Sequence, residues 1–254
     1  MPVESLIIVA AGILAGLINA VAGAGTIVTF PVLVALGYPP VVANVSNTVG
    51  LIPASVTGAL GYRHEVTGHW RSVGYMAIMS LIGGATGAGL LIFLPAEAFS
   101  FVIPYLLIIA AILAAAQPTV ARYVRRHAGE STSQTTLPLT AGLLIGVFAT
   151  GIYGGYFGAA QGVILLALLG ILWSTNLNRA NGAKNVLAGI ANVISAVVFL
   201  FSGLIDWWVV LLVGIGAALG GWIGSRIGRR LPASVLRAIL VIIALTAAVI
   251  FIAT

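Results

Sequence analysis

The sequence predicts an all-α integral membrane protein of about ten transmembrane segments, arranged as two inverted repeats of five. Three observations predict it: a composition too apolar for water, charge-free runs of spanning length, and a one-sided distribution of basic residues. Of 254 residues, 61% are hydrophobic and 6% charged, whereas a soluble domain runs at about 45–50% apolar and about 25% charged. So few charges cannot solvate a water-facing surface, which excludes a soluble enzyme, a disulfide scaffold and a disordered chain. Cysteine is absent, removing disulfides, thiol nucleophiles and Cys-ligated metals. The formal net charge of +6 marks cytoplasmic loops in such a chain and argues for no nucleic-acid partner.

The runs free of Asp, Glu, Lys and Arg cover residues 5–62, 72–96, 98–120, 131–178, 185–205, 207–225 and 238–254. A helix needs about 20 residues to cross the hydrocarbon core. Four runs fit one crossing each, and the last fits once residues 232–237 serve as its leading turn. The two long runs each contain a short apolar piece, 26–37 and 161–173, too short for a full span at about 1.5 Å per residue. Treated as re-entrant they give eight crossings; treated as short halves of broken helices, at segments 2 and 7, they give ten.

Charge chooses between these. Ten segments place all 11 basic residues, Arg63 through Arg237, on one side, and Glu4, Glu97 and Asp206 on the other. Eight segments set Arg63 to Arg126 against Arg179 to Arg237. The positive-inside rule therefore selects ten, with the basic loops cytoplasmic and both termini outside. Glu4 precedes the first apolar run and no Lys or Arg does, so that run reads as a retained segment rather than a cleaved signal.

The halves resemble each other. The string AGILAG at 11–16 returns as AGLLIG at 141–146. Beyond an insertion near 153–161 the offset is a constant 137. It pairs Ala43-Asn44 with Ala180-Asn181, Trp70 with Trp207, and Gly83, Gly84 and Gly87 with Gly220, Gly221 and Gly224. It also pairs Leu94-Pro95-Ala96 with Leu231-Pro232-Ala233. Five crossings per repeat is odd, so the halves insert in opposite orientations, an architecture common among secondary transporters. The organisation is a first repeat at 1–117, a cytoplasmic linker at 118–137 and a second repeat at 138–254. The linker carries Arg122, Arg125, Arg126 and a Ser/Thr run at 131–136, the composition of a solvated loop.

Inverted repeats place their binding sites near the midplane, where corresponding short helices are interrupted. Here the interruptions are Gly-rich: 19–26, with Asn19, Gly23, Gly25 and Thr26, and 151–162, with Tyr153 and Gln161. Glycine lets unwound backbone approach a ligand, and free N–H groups at the following helix start attract anions. The pairs Gly12/Gly16, Gly142/Gly146, Gly83/Gly87 and Gly220/Gly224 read instead as small-residue helix packing. A second polar constellation opens the next segment of each repeat: Asn44, Ser46, Asn47 and Thr48, then Asn181, Lys184 and Asn185. At the offset of 137, Lys184 falls on Asn47 and Asn185 on Thr48. Polar groups at this depth are costly and point to a cavity. Lys184 reads either as a counter-charge for an anion or as a side chain reaching for the cytoplasmic interface.

No Asp or Glu lies within a span, and His64, His69 and His127 all fall in basic-side loops. A carboxylate proton relay, a hydrolase and a metal site thus lack their residues. No cofactor and no enzymatic activity are expected.

The strings NAVAGAGTIVTFPVLVALGYPPVVANVSNTVG at 19–50, GIYGGYFGAAQG at 151–162 and ANGAKN at 180–185 resemble the sulfite exporter TauE/SafE family of membrane permeases over essentially the whole chain. The family pattern is a Gly-rich break, a short segment with an internal proline (Pro31 here) and an Ala-rich helix start, once per half. Two departures stand out: the first break reads Gly-Ala-Gly where a longer glycine run is common, and the second short segment lacks the proline. The resemblance implies movement of a small sulfur-containing anion, sulfite or an organosulfonate, across the bacterial inner membrane. Alternating access would expose a midplane site lined by Asn19, Thr26, Asn47, Thr48, Tyr153, Gln161, Lys184 and Asn185. A passive anion channel and a non-transporting scaffold are the rival readings, and the small-residue faces suit a homodimer.

Overall fold

The computed structural model describes residues 2–128, 136–174, 176–227 and 233–253. Part of the linker, Arg229, Arg230, and the Leu231-Pro232 end of the last repeat pair lie outside these residues. The described chain is all-helical apart from an isolated bridge between Thr136 and Ser174. The helices are α1 (Pro2–Ala22), α2 (Thr26–Ala35), α3 (Pro40–Gly50), α4 (Ile52–Gly61), α5 (Arg63–Val66), α6 (Trp70–Phe93), α7 (Ala96–Ala128), α8 (Ala141–Tyr156), α9 (Gln161–Leu172), α10 (Leu177–Leu200), α11 (Trp207–Ile227) and α12 (Ala233–Ala253). Among the described residues, five helices are long and apolar enough to cross a membrane: α1, α6, α7, α10 and α11. Apolar α2, α8 and α9 are shorter, as is the apolar stretch Leu240–Phe251 of α12.

Local chemistry sets several boundaries. The Asp206 carboxylate accepts from the N–H groups of Trp208 and Val209 at 3.0 and 3.1 Å, opening α11. Asn176 does the same for Asn178 and Arg179 at α10, and Thr140 for Leu143 at α8. Each side chain satisfies amides that a helix start leaves free. Within the charge-free run 5–62, a break at Leu51 separates α3 from α4. Pro53, whose ring nitrogen cannot donate to the ladder, explains it. Its counterpart at the 137 offset is Ile190, and α10 runs through without interruption.

Helix pairings recur between the halves. Helix α1 packs along α11, and α8 packs along α6. Helices α3 and α4 meet α11 as α10 meets α6, α2 meets α12 as α9 meets α7, and α7 and α12 pack on each other. Glycines make the closest approaches, in agreement with small-residue packing. A Cβ on Gly220 would stand 1.9 Å from the Ile13 carbonyl oxygen, and one on Gly87 2.0 Å from that of Ile152. Gly142 is an exception, with open space around it; its expected packing role is not realised.

These contacts reverse the usual sign of a glycine substitution. Gly74, on an open face of α6, gains up to about 1 kcal/mol when changed to Ala, because the helix loses less backbone entropy. Gly220→Ala drives a methyl into backbone and loses about 1–3 kcal/mol. Thermal denaturation of the purified variants in detergent checks this; two shifts of the same sign would contradict the packing.

The ends of the short helices locate them. Tyr38, just after α2, shares a depression with Glu4 and Asp206. Burial, then the carboxylates of Asp206 and Glu4, push its phenol above the ordinary range. Thus α2 returns to the end where α1 begins. At the other end, the Leu137 N–H donates to the Trp173 carbonyl at 2.8 Å, and the Trp173 ring meets His69 edge-on at 6.1 Å. Helix α9 therefore returns to the end where α8 begins. Phe30 of α2, Phe99 of α7, Phe251 of α12 and Phe157 form one aromatic cluster, with centroids 5.2–6.4 Å apart where paired. It fastens the first half to the second.

Candidate functional site where the two helix breaks cross

Both Gly-rich interruptions are present but narrower than the sequence suggests. Helix α1 continues to Ala22, leaving a break at 23–25, and α8 continues to Tyr156, leaving one at 157–160. Gly151 and Gly155 consequently lie inside α8, pressed against α6 near Ser80 and Gly84. At the breaks the backbone turns left-handed, at Gly23 (φ 69°), Gly158 (φ 74°) and Ala160 (φ 60°). Ala160 is the one described non-glycine residue with positive φ, a conformation costing about 1–2 kcal/mol for a residue with a Cβ.

The two breaks touch. The Gly162 N–H donates to the Gly23 carbonyl at 3.0 Å, and a Cβ on either glycine would come within 2.4 Å of the other's Cα. Only a pair of glycines permits this crossing. Gly25 fits as tightly against α1, where a Cβ would be 2.6 Å from the Ala15 carbonyl oxygen. The crossing also consumes amides. In α9 the first three N–H groups bond to Gly158, Gly23 and Ala160; in α2 those of Ile27 and Val28 bond to Ala24 and Gly25. These amides are engaged by the protein itself, so they are not the free anion donors that the sequence suggests.

Around the first break a polar network closes. The Thr29 hydroxyl donates to the Asn47 amide oxygen, and the Asn47 amide nitrogen donates to the Thr26 hydroxyl at 3.2 Å. All three are buried. Asn44 donates to the Tyr156 carbonyl at 2.9 Å, tying α3 to the end of α8. Asn19 and Asn192 both direct amide nitrogens at the Ser55 hydroxyl, at 3.4 and 3.5 Å. Ser55 and Asn192 are themselves separated by 137 residues.

Other predicted residues have local duties. Tyr153 donates to the Ala159 carbonyl at 2.5 Å, and Gln161 to the Thr150 carbonyl at 3.3 Å, so both brace the second break. Thr48 donates to the Asn44 carbonyl in its own helix. Sequence reasoning missed Thr29, Ser55 and Asn192 as members of the network. Thr29 lies four residues after Gly25 on the face of Thr26, a spacing that could have revealed it; Ser55 and Asn192 became visible only through the contact between α4 and α10.

Lys184 is different. It is fully buried, with 0% exposure, and its Nζ has no hydrogen-bond partner among the described residues. The next side chain, Asn185, is 3% exposed and its amide nitrogen also lacks one. The interfacial alternative is not realised, since a Lys reaching for the interface would expose its ammonium. Among the described residues no group of three or more His, Asp or Glu could hold a metal ion.

A helical membrane protein whose two discontinuous elements cross at glycines, and which buries an amine and several amides, has the make-up of a membrane transporter. The chain belongs to the sulfite exporter TauE/SafE family, whose model matches residues 8–251. Its relatives include a protein described as a probable membrane transporter, ORF9, from a Sinorhizobium species, 30% identical over 94% of this chain and 88% of that one. A probable membrane transporter protein of Haemophilus influenzae is 26% identical over 85% of this chain and 81% of its own. The probable membrane transporter protein YfcA of Escherichia coli K12 is 24% identical over 91% and 82%. No solved structure matches. The family comprises membrane transporters rather than enzymes.

Proposed function

We propose that this protein is a secondary transporter of a small anion, sulfite or an organosulfonate, working by alternating access. The observation that carries the reading is a pair of consecutive buried donors without partners, Lys184 Nζ and Asn185 Nδ2, in a chain whose span carboxylates, Glu4 and Glu97, lie in the first turns of α1 and α7. An oxyanion supplies both the missing charge and the missing acceptors. Asn47, aligned with Lys184 in the repeat, holds the start of α2 through Thr26 and Thr29 and is assigned to the same site; Tyr153 and Gln161 brace the second break, and Asn19 and Thr48 complete the proposed lining.

The moving parts are two inverted five-segment repeats, 1–117 and 138–254, joined by 118–137, with basic loops in the cytoplasm and both termini outside. Three observations support this. The helix pairings recur under exchange of the halves, α2 and α9 each return to the end from which their repeat began, and Ser55 meets its own repeat partner, Asn192.

Proteoliposome flux tests the proposal. Sulfite, thiosulfate, sulfonates and carboxylates are offered in turn, and saturable uptake with counter-substrate exchange is expected for at least one sulfur oxyanion. Asn47→Ala leaves Thr26 and Thr29 without their buried partner, a loss of about 1–3 kcal/mol; flux falls roughly tenfold or more. Flux that never saturates identifies a channel. No flux and no ligand-dependent thermal shift with any anion identifies a scaffold, and wild-type flux in Asn47→Ala removes that residue from the site.

A further inference from the structure

A groove of about 390 Å³ lies between α4, α6 and α10. Its rim consists of Val56, Leu81, Val193 and Val197, each 43–49% exposed, and Ala59 and Ile190 continue the apolar wall. Ser55 and Asn185 stand on its inner side and are almost wholly buried. Leu81 falls midway along α6 and Val193 well inside α10, so the groove opens at the depth of the lipid hydrocarbon, far from either aqueous surface.

We propose that this groove is a binding site for one acyl chain of a bilayer lipid, which enters sideways between α4, α6 and α10. Position and chemistry both select this occupant. Water gains nothing in a concavity with an apolar lining, and the medium at this depth is hydrocarbon. At about 30 Å³ for each methylene-sized group, the volume takes about a dozen such groups, a substantial length of one chain. Dispersion contacts with walls on three sides order a chain there more than a flat lipid-facing surface does. Because Ser55 receives Asn19 and Asn192 and Asn185 carries a donor without a partner, the chain lies directly against the polar centre. It seals that centre from the bilayer. The inference rests on membrane placement and does not depend on which substrate the protein carries.

Photolabelling tests it. The full chain is reconstituted into vesicles of phosphatidylethanolamine and phosphatidylglycerol containing a minor fraction of phosphatidylcholine with a diazirine midway along one acyl chain. After irradiation, adducts are mapped by mass spectrometry. Adducts are expected on the groove segments of α4 and α10 at several-fold the yield on the more exposed apolar face of α12 at Ile242 and Val249. Ala59→Phe or Val193→Trp fills the groove and lowers labelling there to the α12 level, leaving α12 labelling unchanged. Even labelling over all lipid-facing helices overturns the proposal, as do undiminished adducts in both filled variants or crosslinks between two copies at the groove. If neither variant folds, the wild-type map alone decides.

Discussion

Lys184→Met is expected to weaken anion binding sharply while making the protein more stable. In the absence of ligand the buried amine has lost its hydration and has no hydrogen-bond partner, a cost of about 1–3 kcal/mol. Met fills a similar volume with no polar donor, and the helix loses nothing in propensity. The denaturation midpoint should rise by a few degrees. Binding moves the other way. Removing one partner of a buried, hydrogen-bonded charge pair typically costs about 2–5 kcal/mol, a roughly 30-fold or larger loss of affinity. Thermal shift with and without the transported anion, together with flux, reads both effects. If Lys184 served only the fold, Met would lower the midpoint and leave the anion-induced shift intact. That result would remove the counter-charge from the mechanism.

Gly162→Val is expected to prevent folding. Its Cβ would lie 2.4 Å from the Gly23 Cα, and the obstructing atom is backbone, so no rotamer change can yield. The crossing must open, which also gives up the bond from the Gly162 N–H to the Gly23 carbonyl. Overpacking of this kind costs about 3 kcal/mol or more, and the lost bond in an apolar setting adds to it. Gly23→Val adds a left-handed β-branched residue to the same clash. The measurement is the yield of monodisperse protein in detergent, followed by its thermal midpoint. Near-normal yield and stability in Gly162→Val would mean that the two breaks do not cross there. The Gly74→Ala and Gly220→Ala pair then serves as a control that separates glycine propensity from backbone contact.

Much of the fold was legible in the sequence because the bilayer imposes simple rules. Charge-free runs and Gly-rich interruptions located the helices, and the short pieces at 26–37 and 161–173 correspond to α2 and α9 within two residues. The break at Leu51 was harder to see. Pro53 sat within an apolar run of spanning length, and a proline two residues into a new helix looks the same in sequence as one tolerated inside an old helix. The extent of the Gly-rich breaks was overestimated for a related reason. Glycine serves both unwound backbone and close helix packing, and only the neighbours of Gly151 and Gly155 assign them to packing against α6.

The sequence by itself determined the membrane environment, the helical class, the family and the list of polar residues that a hydrocarbon interior makes expensive. Those are properties of composition and of spacing along one chain. The tertiary structure alone decided which of those polar residues were already satisfied. Tyr153 and Gln161 hydrogen-bond across the second break and Thr48 within its own helix, and the amides at the start of α9 are taken by nearby carbonyls, one of them from the opposite half. Lys184 and Asn185 keep donors without partners. Hydrogen-bond satisfaction depends on which helices cross and how closely, and here the crossing is set by two glycines 139 residues apart, Gly23 and Gly162. A linear sequence does not contain that distance.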